Sequence, residues 1–144
     1  MKDVSIVLTS EQLSEINKQQ RKQVPVMERI KTFDDIIVEC GKPASYFTDS
    51  NLSITELGYR KIMAVAFVYN EGWKADYWNS NQEKWYPHFQ YSKPNSSFGF
   101  SYTGYDVWFT GAYGGSPLCA FKNQELAKDA GIKFIKEYNE FLNQ

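Results

Sequence analysis

Trp73, Trp78 and Trp85 share residues 73–86 with Tyr86, Asp76, Asn79, Asn81, Gln82 and Lys84. A flat ring offers a π face on which a sugar or an unstacked base can stack, worth about 1–3 kcal/mol per base. Amides, a carboxylate and an ammonium group supply the hydrogen bonds that read such a ligand's edge. The candidate ligand-binding residues are therefore Trp73, Asp76, Trp78, Asn79, Asn81 and Lys84. The same residue types also suit a packed turn, in which Asn and Asp satisfy the backbone and the rings fill the core. Trp78, beside the Asn79-Ser80-Asn81 turn signal, is the expected exposed ring. Trp85 is the expected core ring, because its strand continues into Tyr86, Phe89 and Tyr91.

Catalytic constellations are sparse. His88 is the single histidine, and it sits beside Pro87 in an aromatic run where a half-buried structural imidazole is the ordinary outcome. A dyad of His88 with Cys119 on a neighbouring strand would make a small hydrolase, but nothing else in the sequence requires it. There is no phosphate loop, dinucleotide glycine fingerprint, HExxH or metal-spaced Cys/His cluster. Asp34 and Asp35 read as charges favoured by a helix N-terminus. The sequence thus predicts a non-enzymatic protein with no catalytic residues, no metal and no cofactor.

The net charge of −1 provides no global field toward nucleic acid or an anionic membrane. Cys40 and Cys119 lie far apart, no signal peptide is evident, and no apolar run is long enough to cross a bilayer. Two reduced core cysteines in a cytoplasmic protein are expected, with no membrane association. A length of 144 residues fits a single domain, and the 17% aromatic content supplies large core units.

Stepping along the chain, residues 4–8 (VSIVL) read as a short strand or arm leading into a helix over 10–23. That helix has only Leu13 and Ile16 as strong apolar anchors, so residues 1–28 form an N-terminal arm and polar helix, loosely held, ahead of a globular domain over 29–144. Val24-Pro25 interrupts the helix. Thr32 and Asp35 approach a capping box for a helix over 33–40, and Ser53 with Glu56 forms one for a helix over 54–71. A strand over 64–69 is the alternative there, since IMAVAFVY is apolar on all sides. Aromatic strands follow at 84–91, 98–102, 107–109 and 117–121, with turns at 93–97, 103–104 and 111–116. Asn123 caps a last helix over 124–142, in which Gly131 should be a packing contact. The expected fold is α+β, an antiparallel sheet of three to four aromatic-rich strands packed against about four helices, with the 54–71 helix under the sheet.

The blocks RIKTFDD (29–35), NEGWKADYWNSNQEKWYPHF (70–89), FGFSY (98–102), GSPLCAFKNQELAKDAG (115–131) and KFIKEYNEFL (133–142) occur in this order. In them the chain resembles a set of small proteins of Bacteroides phages and mobile elements, a set with no assigned activity. The resemblance implies phage or mobile-element origin and a constant fold, not a chemistry. This chain departs from the set's pattern at His88, where a second aromatic is expected, and at Pro117, where a basic residue is expected. No site residue is carried over. The resulting expectation is an accessory protein of the host cytoplasm that acts by binding a macromolecular partner, a protein first of all. Single-stranded nucleic acid or a glycan held on the aromatic and Asn surface is the alternative, and the His88/Cys119 hydrolase comes third.

Overall fold

Helix caps and helix-period apolar residues dominate the local code, and the computed structural model, which describes residues 5–91, 100–108 and 117–142, is mainly helical. Helix α1 spans Ser10–Lys22, with Thr9 accepting from the Gln12 N–H at 3.1 Å. None of its residues is buried, as two apolar anchors on an otherwise polar helix would lead one to expect. The Pro25 break follows, then α2 (Val26–Arg29) and α3 (Phe33–Glu39). Asp35 Oδ2 accepts from the backbone N–H groups of Lys31 and Thr32 at 2.9 and 3.1 Å, fixing the start of α3. Burial pushes its carboxyl up, but those two bonds together with Arg21 outweigh it and hold the group below the usual value.

Helix α4 (Ile54–Asn70) is the centre of the molecule. The Ser53/Glu56 capping box starts it, and the alternative strand over 64–69 does not occur. Val65, Ala66 and Tyr69 on α4 are fully buried against Ile30, Ile36, Phe47 and Phe121. Glu71 ends the helix in the left-handed region at φ 48°, followed by Gly72 at φ 93°.

The terminal helix is two helices, α5 (Gln124–Lys133) and α6 (Ile135–Leu142), broken at Phe134. The Phe134 ring packs edge-on to Tyr69 with centroids 6.0 Å apart. Lys133, next to the break, donates to Asp129 and to the carbonyls of Met27 and Ile30. The break lets α6 lie along α4 at Gly58, where an added Cβ would meet the Phe141 nitrogen at 2.5 Å.

The α+β expectation is overturned in its sheet. Among the described residues there are six α-helices and a two-stranded antiparallel ribbon, β1 (Lys84–Tyr91) with β2 (Phe100–Trp108), not a sheet of three to four strands. Two local facts account for the loss. Residues 103–104 do not turn the chain: β2 continues through them with an irregularity opposite His88 and Phe89, so 107–108 belongs to the same strand. Pro117–Cys119 forms a 3-10 turn, so the 117–121 segment contributes only a single bridge, between Phe121 and Trp85. The ribbon also lies mainly on α5 and α6 instead of α4, as in the Phe89–Tyr138 ring contact at 4.6 Å. The turns expected at 93–97 and 111–116, with Phe98 and Phe109, lie outside the described residues.

Candidate functional site

Residues 73–86 form a closed loop entering β1, and their polar groups serve the loop itself. Asp76 Oδ1 accepts from the Trp78 N–H at 2.9 Å, and Asn79 Oδ1 from the Asn81 N–H at 3.0 Å, two Asx turns in succession. Gln82 spans the loop, accepting from the Asp76 N–H at 2.6 Å and donating to the Lys74 carbonyl at 3.0 Å. Lys84 is completely buried, its Nζ 2.8 Å from the Asn79 carbonyl and 5.3 Å from the Tyr77 ring centroid. The Tyr77 and Tyr86 hydroxyls are hydrogen-bonded to each other.

The six ligand-binding candidates are therefore not brought together as one surface. Asp76 and Asn79 close turns, Lys84 is interior, Asn81 is exposed at the tip, and Trp73 packs partly against the core. Trp78 is 99% exposed. Trp85 packs against the core edge and donates its indole N–H to Glu83 at 2.9 Å.

His88 is exposed on β1, whereas Cys119 is buried. Burial pushes the Cys119 thiol up to about 12. At pH 7 that leaves a thiolate fraction on the order of one in a hundred thousand, the opposite of what an activated nucleophile needs.

Trp73 instead faces a groove that sequence reasoning missed. Its volume is about 560 Å³, and it runs between α4, the 3-10 turn Ala44–Phe47, the strand entry at 73–75 and the 3-10 turn Pro117–Cys119. Met63, Ala64 and Phe67 on α4 form its floor, with Leu118 and Ala120 opposite. Phe67 and Leu118 are 63% and 66% exposed. At its inner end, Asn70 holds the two walls together, donating to the Ala120 carbonyl at 2.7 Å and accepting from the Lys122 N–H at 3.1 Å.

No family model, curated protein or solved structure matches the chain. The groove's chemistry must be read from its own residues.

Lys42, Arg60 and Lys74 line it, with no carboxylate among the described lining residues. The Arg60 guanidinium sits 4.2 Å from the Tyr46 ring centroid and donates to the Tyr46 carbonyl at 2.9 Å, while Lys42 Nζ lies 5.2 Å from the same ring. Among the described residues none of the three cations forms a salt bridge. An apolar channel edged by three cations, of which Arg60 also interacts with Glu56 on its own helix, favours an occupant that is apolar along its length and acidic at its flanks. A signal for the groove was present in the sequence: α4 is apolar all round at 62–69, and such a helix has one face more than a single core can cover. Phe67 is on that surplus face.

Among the described residues no helix is long and apolar enough to cross a membrane, and no group of three metal-ligating side chains converges.

Proposed function

We propose that this protein is a non-enzymatic binding module, an accessory protein of phage or mobile-element origin working in the host cytoplasm, whose groove holds a short acidic and apolar segment of a partner protein. The observation that carries this reading is the pairing of exposed Phe67 and Leu118 with Lys42, Arg60 and Lys74 in one groove that has no acidic side chain among its described lining residues. Large, mainly exposed apolar side chains in a concave site are where interface anchors bury. The cations add orientation and selectivity against basic partners more than raw affinity. A nucleic-acid or glycan ligand is less well served. The carboxylate and amide that would read it, Asp76 and Asn79, already bond to their own loop.

Fluorescence anisotropy with short labelled peptides tests the proposal. Peptides that alternate Leu or Phe with Asp or Glu should bind, and Phe67→Glu should weaken them at least tenfold while leaving the melting temperature nearly unchanged. Basic peptides of the same apolar content should not bind. Equal binding of acidic and basic peptides, or tighter binding of single-stranded oligonucleotides that Phe67→Glu does not affect, would reject it.

A further inference from the structure

Trp78 lies close to the groove along the chain. Trp73, Lys74 and Ala75 line the groove, and Trp78 follows three residues later, so its Cα lies within about 10 Å of Ala75 by chain length alone. Trp78 is 99% exposed, and single exposed aliphatic residues are ordinary where an entirely exposed indole is not.

The loop that carries it is also preorganised. Its two Asx turns, the Gln82 span and the buried Lys84 ammonium hold the backbone on both sides of the ring, so docking the indole orders little that is not already ordered. The loop around Trp78 carries exposed carboxylates that the groove lacks among its described lining residues, although Lys74 lies between the two. Asp76 and Glu83 are exposed beside the knob, whereas Lys42, Arg60 and Lys74 edge the groove.

An exposed ring within about 10 Å of a hole edged by cations suits a two-fold contact, in which each copy offers its ring to the other's hole. We infer that Trp78 of one copy docks in the groove of a second copy, and that this reciprocal exchange closes both grooves in a dimer. The inference rests on the groove being a recognition surface and adds a regulator of it: self-association competes with the acidic, apolar segment for the same floor. Two indoles with Phe67 and Leu118 on each side make a small interface, of the class below about 1,200 Å² that forms weak, concentration-dependent complexes.

Sedimentation velocity on the full chain from low micromolar to millimolar concentration tests this. The wild type should pass from monomer to dimer, and Trp78→Ala and Phe67→Glu should each weaken association at least tenfold. Both side chains are largely exposed, so near-ultraviolet circular dichroism should find both variants folded. An equimolar mixture of the two variants keeps one intact knob and one intact groove and should associate more strongly than either alone. A wild type that stays monomeric, or a dimer that Trp78→Ala leaves unchanged, overturns the inference. Peptide binding measured on Trp78→Ala keeps the two ideas separate. Peptide binding with no dimer rejects only self-association, whereas a Trp78-dependent dimer with no peptide binding rejects only the partner segment.

Discussion

An ammonium group removed from solvent has to be satisfied inside the protein, and Lys84 donates to the Asn79 carbonyl beneath the Tyr77 ring. Charge at that position is a structural element of the loop and not a ligand contact. The same loop separates its tryptophans by role. Trp78 makes no use of its ring within the fold, so Trp78→Ala should change unfolding free energy by no more than about 0.5 kcal/mol. Trp85 packs on the core edge, bonds Glu83 through its indole, and its backbone pairs with Phe121 in both directions at 2.9 and 2.8 Å. Because the ring is only partly buried, Trp85→Ala should cost about 2 kcal/mol, less than the roughly 3–5 kcal/mol of a fully buried large aromatic. Urea denaturation of the two variants followed by circular dichroism checks this; equal losses would mean that the loop, and not the rings, sets the difference.

Helix packing is closest where α4 crosses α6. At Gly58 the neighbouring atoms are backbone, the Phe141 nitrogen and the Glu140 carbonyl carbon, which cannot rotate away as a side-chain tip could. Alanine there would gain about 1 kcal/mol of helix propensity. The 2.5 Å contact must still be relieved by moving α6, and overpacking of this kind costs about 1–3 kcal/mol or more. Gly58→Ala should therefore destabilise the protein on balance, and a higher urea midpoint would show that α6 can shift freely. The Lys61–Glu140 pair at 2.6 Å sits on the same helix contact but is partly exposed, and it contributes at most about 1 kcal/mol.

The molecule as a whole is a helical core around α4, with a ribbon on α5 and α6 and with α1 attached at one end. Arg21 ties the last turn of α1 to Asp35 and Glu39 at 3.2 and 3.3 Å, while Leu13 and Ile16 remain exposed on it. Removing residues 1–19 leaves that tie in place and, among the described residues, takes away no buried side chain. The truncated chain should keep its unfolding free energy within about 1 kcal/mol, as measured by urea denaturation. A larger loss would place α1 in the cooperative core.

Several features were already legible in the sequence because they depend on neighbours a few residues apart. The caps at Ser53 and Asn123, the Pro25 break and the bounds of α3 and α4 follow from local hydrogen bonding and helix-period apolar residues. So does the exposure of Trp78, next to a turn whose Asn and Asp face their own backbone. Tertiary structure alone decided the rest. Whether an aromatic run becomes a third strand depends on a partner across space, and among the described residues Phe121 pairs with Trp85 in one bridge. The burial of Lys84 required Tyr77 above it and the Asn79 carbonyl within reach. The groove required three separate segments to converge on the surplus face of α4, with three cations from positions 42, 60 and 74 brought to one channel. No spacing in the chain encodes that meeting, because it is the packing of the core on the other side of α4 that leaves this face open.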